Sequence, residues 1–546
     1  MSSTASAGCD FSDPEAVRAF LDAHVRELAR RDQLLAEKDA LLARKDAELA
    51  ARDAAIAARD ETLSSRQQQI EHLKLLLEKM RRDAYGAKSE KLERNLDQLE
   101  FKLEELESDQ AADEVVELLT TDKPIRNKPA RKPLPEHLHR EVITHTPSEE
   151  CCPDCGGKLR KLGEDVSEYL ERIPETFKVI RHVRVKMSCS GCDKIVQPPA
   201  PPRPIERCLA GPALLAHVLS AKYANHIPLN RQSEIYAREG VELDRSTLAG
   251  WVGASSQLLA PLVEAVRRHV MAGSKIHADD TPVPVLSPGR GRTKIGRLWT
   301  YVRDDRPAAI DTAPAVWFAY SPDRKGEHPR QHLKDFRGVL QADAYAGFGH
   351  LYGTGNIHEA ACMAHARRKF HDIHEVHPSP ITTEALDRIG ALYGIEREIR
   401  GQTVERRREI RQTRAKPLLE QLHRWLQQKL TTLSAKSDTA AAIRYALSRW
   451  RALTRYVDDG LIEIDNSSAE RALRAVALGR RNYLFAGADS GGFRAAAIYS
   501  LVGSAKLNRL DPELYLRHVM TRIAQHPINR IDDLLPWNLQ TDTVLA

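Results

Sequence analysis

The chain has 546 residues, room for roughly three to five folded units at about 100–200 residues each. Its 82 Lys+Arg against 76 Asp+Glu leave a net charge of only +6, and 42% hydrophobic with 29% charged residues is an ordinary soluble balance. A mean hydropathy of −0.46 and the lack of any 18-residue apolar run exclude a transmembrane helix.

No basic, apolar-cored leader opens the chain, so a cytoplasmic protein is expected. Eight cysteines are too few for a disulfide scaffold, and four of them form two Cys-x-x-Cys pairs, which in a reduced compartment point to metal.

The first hundred residues contain no glycine between Phe11 and Tyr85. Leu21, Leu28, Leu35, Leu42, Leu49, Ile56, Leu63, Ile70 and Leu77 recur every seventh residue. A seven-residue apolar stripe this long predicts a coiled coil and hence a homo-oligomer, although the second seam position is charged or small. Helical periodicity resumes after Gly86. Residues 121–135 then hold four prolines and five Lys/Arg with one acid, the composition of an extended basic linker.

Cys152-Pro-Asp-Cys155 and Cys189-Ser-Gly-Cys192 stand 33 residues apart. Each turn supplies two thiolates, so together they predict a structural Zn²⁺ site. The spacer alternates: Val179, Val183, Val185 and Met187 share one face of a strand, and His182, Arg184 and Lys186 the other. A small zinc-ribbon-like β module with a basic outer face would suit a phosphate backbone. Next, residues 230–238 and a helix beginning at Arg245 flank a turn containing Gly240, as in a helix-turn-helix. Asp244 or Ser246 is placed to cap the second helix, and Arg245, Ser246 and Thr247 are placed to meet DNA.

From residue 275 to about 348 short β-rich runs dominate, and beyond them the pattern is mostly helical. Three segments put an acid where a metal site needs one: Asp279-Asp280 inside an apolar run, Asp343 at the end of another, and Glu470 one turn inside a helix that follows Asp465-Asn466. An acid in an apolar strand is costly unless it is paired or coordinated. Two strand carboxylates and a helix carboxylate converging would hold two hard cations for phosphoryl transfer. No P-loop motif is present. His371, His374 and His377 read as surface residues, and the glycine-rich turn at 487–492 as a helix cap.

These motifs together resemble the transposases of the insertion-sequence-sixty-six family, which carry an Asp-Asp-Glu triad. The likeness runs from about residue 75 to 537. It includes Tyr85-Gly-Ala-Lys-Ser-Glu90, the cysteine pairs, Lys222-Tyr-Ala-Asn-His-Ile-Pro-Leu-Asn-Arg-Gln232, Asp279-Asp280-Thr-Pro and Gln341-Ala-Asp343-Ala-Tyr. It continues through Cys362-Met-Ala-His365-Ala-Arg-Arg-Lys-Phe370, Asp465-Asn466 with Ala469-Glu470-Arg471, and Ala495-Ala-Ala-Ile-Tyr-Ser-Leu501. The resemblance implies a ribonuclease-H-like core with Asp279, Asp343 and Glu470 as catalytic triad and holder of two Mg²⁺ (or Mn²⁺) ions. The family's usual Asp-Glu-Thr stands here as Asp279-Asp280-Thr281.

It also implies double-stranded DNA as partner, both the element's terminal inverted repeats and the target, with Arg471 and Arg474 among the candidate contacts. Accessory proteins of the same element and a nucleoid location when DNA-bound are further expectations. The chain is thus expected to be multidomain. A helical, coiled-coil N-terminal region (15–110) leads through a basic linker (111–135) to the zinc-binding module (136–205). A helical, helix-turn-helix-like DNA-binding region (206–272) precedes the first part of an α/β core (273–378). A helical insertion (379–456), the second part of the core with Glu470 (457–505) and a C-terminal helical tail (506–546) complete it. The insertion carries eight Lys/Arg against four Glu over residues 396–416, a run placed to lie along DNA or simply to be solvated. The alternative function is a catalytically inactive zinc and helix-turn-helix DNA-binding regulator.

Overall fold

The computed structural model describes helical pieces at residues 24–47, 67–71 (with 73–74) and 106–110. It then describes residues 138–147, 151–152, 154–155, 157–173, 176–287, 293–343, 345–353, 355–482 and 486–539, with a few single residues besides. Met1–Leu75 and Leu76–Ala546 are separate compact units. In the first, residues 24–47 are helical, as the heptads predict. Leu28, Leu35 and Leu42 of the stripe are more than half exposed. Leu21, Leu49, Ile56, Leu63 and Leu77, like the 85–90 motif and most of the basic linker, lie outside the described residues.

The second unit begins with a small sheet of strands β1 (His139–His145), β2 (Leu159–Ile173), β3 (Thr176–Cys189) and β4 (Ile195–Val196). β2 and β3 form a long antiparallel hairpin, β1 runs parallel to β3, and β4 continues β3's other end. Leu170, Phe177 and Val179 from the hairpin share one hydrophobic core with the helices that follow. Those helices are α1 (Pro212–Tyr223), α2 (Leu229–Arg238), α3 (Arg245–Leu258) and α4 (Ala260–Met271). Gly240 takes a left-handed φ of 81° in the turn between α2 and α3, the conformation glycine adopts without strain.

The main sheet is built from β5 (Lys275–Val285), β6 (Lys294–Arg303), β7 (Ala315–Ser321), β8 (Gly338–Ala342) and β9 (Ile357–Ala361). Their order is β7-β6-β5-β8-β9. The β5–β6 and β6–β7 pairs are antiparallel, whereas β8 and β9 run parallel to β5. β9 was not foreseen, because Ile-His-Glu-Ala-Ala has little intrinsic strand preference; pairing with β8 decides it. Gly338 opens β8 at φ 139°, where a Cβ would stand 2.1 Å from the Ser274 carbonyl oxygen, so only glycine lets β8 lie this close to the start of β5.

A helical insertion leaves the sheet after β9: α5 (Met363–Val376), α6 (Pro380–Ile399), α7 (Lys416–Thr432) and α8 (Asp438–Ser448). Phe370, Ile389, Leu392, Leu422 and Ile443 give it a core of its own. Most of its basic run is exposed, as a solvated face would be: Arg397, Arg400, Arg406, Arg408, Arg414 and Lys416 face out, and two arginines turn inward. Arg407 and Arg411 are 1% and 0% exposed. Arg407 donates to Glu463 (2.7 Å), and Arg411 donates to Glu396 (2.6 and 2.8 Å) and to the Tyr456 carbonyl. Buried cations require such partners.

The chain then returns to the sheet. α9 (Ser467–Asn482) packs on β5 and β6, and α10 (Asp489–Leu507) covers β7. The Ser500 and Ser504 hydroxyls accept the Phe318 and Val316 amides, which satisfies the open edge of β7. α11 (Pro512–Arg522) packs on α1. Among the described residues no helix is long and apolar enough to cross a membrane.

Candidate active site and cysteine cluster

The parallel β5–β8 register ends with Ala278 beside Ala342. The next residue on each chain is an acid, so Asp279 and Asp343 follow neighbouring strand positions about 4.8 Å apart in the sheet. Asp279 accepts the Asp280 amide (2.7 Å), and Asp343 accepts the Tyr345 amide (3.1 Å) as the chain turns.

Glu470 arrives from the first turn of α9. Asn466, just before that helix, is fully buried and holds it in place. Its side-chain amide donates to the Ala278 carbonyl (2.8 Å), its backbone amide donates to Cys362 Sγ (3.2 Å), and its side-chain oxygen faces His277 Nδ1 at 3.1 Å. Burial drives His277 down to about 3, so the ring is neutral and Nδ1–H is the donor to Asn466.

The three acids feel one another. Burial, opposed by the Asp280 amide and reinforced by the charges of Asp343, Asp280 and Glu470, pushes Asp279 up to about 7. Asp280 is the contrary case. Its carboxylate is 1% exposed and occupied by Arg297 (3.0 Å) and a two-nitrogen grip from Arg324 (2.8 and 3.1 Å). Arg324 also reaches to 3.9 Å from Asp343 and covers the Tyr345 ring at 4.2 Å. A cleft of about 440 Å³ opens here, lined by Asp343, Arg324, Tyr345, His365, Arg368 and Lys369 among others.

In the β module the four expected thiols converge. The Sγ atoms of Cys152, Cys155, Cys189 and Cys192 all lie within 4.8 Å of one another, with contacts of 3.3–3.5 Å. Tetrahedral Zn–S bonds of about 2.3 Å require sulfurs about 3.8 Å apart, so the set fits zinc. Backbone amides act towards the thiolate at every one of the four, but hydrogen bonds among the crowded sulfurs raise Cys155 and push Cys192 up to about 12. Asp154 and Cys155 lower Cys152, and Gly191 lowers Cys189 to about 6.

The expected basic face of β3 is not open. His182 is 6% exposed and stacks between His145 and Tyr169, because β1 pairs alongside it. Arg184 (3.4 Å) and Lys186 (2.6 Å) are both paired with Asp165. Arg245, Ser246 and Thr247 sit half-buried in the first turn of α3, and Asp244 stands at the cap position without a side-chain cap bond. Arg471 and Arg474 are exposed on α9. Asp489 of the glycine-rich turn is held by Lys294 and Tyr320, as a structural helix start. His374 bonds Thr382 and His371 faces Glu375.

Sequence reasoning did not assign roles to Arg324, Arg368, Lys369 or His365. Arg324 lies in a loop without a motif. Cys362-x-x-His365 at a helix start was a usable signal.

Comparisons with known proteins agree along the chain. The model of the "Transposase IS66 family" matches residues 207–494, and "zinc-finger binding domain of transposase IS66" matches 149–193. "Transposase C of IS166 homeodomain" matches 72–143, and "IS66 C-terminal element" matches 500–537. The chain is 41% identical over 487 residues to uncharacterized protein y4hP of Sinorhizobium fredii, spanning 85% of this chain and 88% of that protein. Uncharacterized protein y4qI of the same organism is 38% identical over 489 residues, 87% of this chain and 90% of that one.

Proposed function

We propose, from the premise that the chain belongs to the Transposase IS66 family, that it is a DNA transposase in which Asp279, Asp343 and Glu470 carry strand cleavage and strand transfer at the ends of an insertion sequence. The observation that supports this reading is that Asp279 and Asp343 follow neighbouring strand positions, while Glu470, on a helix tied to the same strand through Asn466, is near enough for its charge to raise Asp279. The five-stranded order, with two parallel strands added to an antiparallel meander, supports a ribonuclease-H-like core.

The donors fit divalent cations. All three are carboxylates, Glu470 Oε1 is buried without a hydrogen-bond partner, and Asp279 is pushed up by burial and, after it, by the charges of the neighbouring acids. A pair of Mg²⁺ or Mn²⁺ ions would supply the charge that activates an attacking oxygen and stabilises a leaving one. The residues do the rest. Asp279 and Asp343 present oxygens from a rigid sheet edge, and Glu470 closes the set from α9. Arg324, Arg368 and Lys369 line the cleft and draw in the phosphodiester. In cleavage a water oxygen bonds to phosphorus and the bridging 3′-oxygen leaves, taking a proton, which yields a 3′-hydroxyl and a 5′-phosphate. In transfer that hydroxyl oxygen displaces a bridging oxygen of the target, so the number of phosphodiester bonds is conserved.

The heptad helix would pair protomers so that two element ends are held together, and small proteins of the same element are expected companions. Labelled element ends test the reading. Asp279→Asn, Asp343→Asn and Glu470→Gln should each abolish Mg²⁺-dependent nicking and joining while gel-shift binding persists. Nicking by all three variants would refute it.

A further inference from the structure

One side chain faces Glu470 without a partner of its own. His365 is the third residue of α5, and its Nδ1 stands 3.8 Å from Glu470 Oε1. Both atoms are buried, and neither makes a hydrogen bond. Folded proteins rarely leave two such atoms unsatisfied, and 3.8 Å is too long for them to satisfy each other.

The separation suits something between them. Two ligand atoms about 2.1 Å from one cation lie about 3.0 Å apart at the octahedral angle and about 3.4 Å at the tetrahedral one, so this pair has to close by only a few tenths of an ångström. Cys362 Sγ is close enough to belong to the same group, where the Asn466 amide donates to it at 3.2 Å. His365 also lines the cleft that holds Asp343. It therefore reaches both Glu470 and the cleft that Asp343 lines.

We propose that His365 Nδ1 is a direct ligand of a divalent cation that it shares with Glu470, which makes the site three carboxylates and one imidazole. This rests on reading Asp279, Asp343 and Glu470 as a cation site. An imidazole donor favours transition ions over Mg²⁺, because Mg²⁺ prefers oxygen and water. The site then discriminates between cations, and His365 is the residue that sets the preference. The bland alternative is a simple imidazolium–carboxylate pair, in which His365 only steadies Glu470.

The two are separable by Mn²⁺ bound to the full-length, zinc-loaded protein, read by electron spin echo modulation and by equilibrium titration. The expected result is ¹⁴N modulation from a coordinated imidazole in the wild type, lost in both His365→Gln and Glu470→Gln. Mn²⁺ affinity should fall tenfold or more in His365→Gln, and Mg²⁺ affinity, measured by competition, should fall less. Unchanged thermal unfolding and a second variant, His365→Asn, guard against misfolding. Mn²⁺ that binds, is lost in Asp343→Asn and shows no nitrogen coupling overturns the His365 assignment and leaves the carboxylate site standing. Nitrogen coupling that survives in His365→Gln also overturns it. Mn²⁺ binding unaffected by Asp343→Asn and Glu470→Gln sinks the carboxylate reading, and this inference with it.

Discussion

Asn466 donates its side-chain amide to the carbonyl of Ala278, the residue before Asp279, across 188 residues of sequence. This one bond ties the start of α9 to the strand that carries the first acid, and so sets where Glu470 stands. Asn466→Ala would strip the Ala278 carbonyl and His277 Nδ1 of partners in a fully buried place. The expected cost is about 1–3 kcal/mol of stability. Nicking should fall at least tenfold while DNA affinity holds, since no DNA-facing group changes. Thermal unfolding and nicking rates measured side by side check it; a stable Asn466→Ala protein with full activity counts against the clamp.

Asp279 and Asp280 are neighbours with opposite surroundings, and their variants should differ. Asp279→Asn removes a charge from the carboxylate cluster and should leave no detectable nicking. Asp280→Asn weakens the hold on Arg297 and Arg324 instead. A partly active enzyme is expected, perturbed mainly through Arg324 and its reach to Asp343. A dead Asp280→Asn beside an active Asp279→Asn would reverse the assignment.

Local pattern carried a good part of this architecture. The apolar runs around Asp279 and Asp343 are strands, and the Asp465-Asn466 cap does start a helix. The failures share one cause: the deciding contact is distant in sequence. Asp280 cannot be told from Asp279 until Arg297 and Arg324 arrive, 17 and 44 residues later. His182 alternates like an outward residue, yet His145, 37 residues earlier, covers it. Arg407 belongs to a run that looks solvated, but Glu463 buries it from 56 residues away. β9 exists only because β8 is there to pair with it. Period and composition report the faces of single elements, not what is laid against them.

His332 predicts a pH effect. Its Nδ1 meets the Tyr301 hydroxyl (2.9 Å), and burial, with a lesser contribution from His328, drives it from its ordinary value of 6.5 to about 4. Above pH 6.5 the ring is neutral folded and unfolded, so it adds no pH dependence. Below 6.5 the unfolded chain takes up a proton that the folded one refuses, and stability is lost until about pH 4. The loss reaches about 3 kcal/mol at most. His332→Gln should flatten this part of the curve. Unfolding free energies of both proteins between pH 7 and 4 decide it, and parallel curves would show that His332 does not matter.

Zinc is the most direct prediction to test by composition. Metal analysis of the purified chain should give one zinc, lost on Cys152→Ser. Gly157 sharpens the test because it carries no ligand atom. A Cβ there would stand 2.9 Å from Cys189 Sγ and 3.3 Å from Cys155 Sγ. Two ligands cannot both give way without leaving the tetrahedron, so Gly157→Ala should weaken zinc retention while all four thiols remain. Cys189 then loses both its metal and the order of the Cys152–Leu159 packing beside it. Chelator competition should release zinc from Gly157→Ala at lower concentration than from the wild type. Gly163 is the control, since nothing lies within 4 Å of a Cβ there. Equal retention in Gly157→Ala and Gly163→Ala would mean that the four thiols do not hold the ion as a closed site.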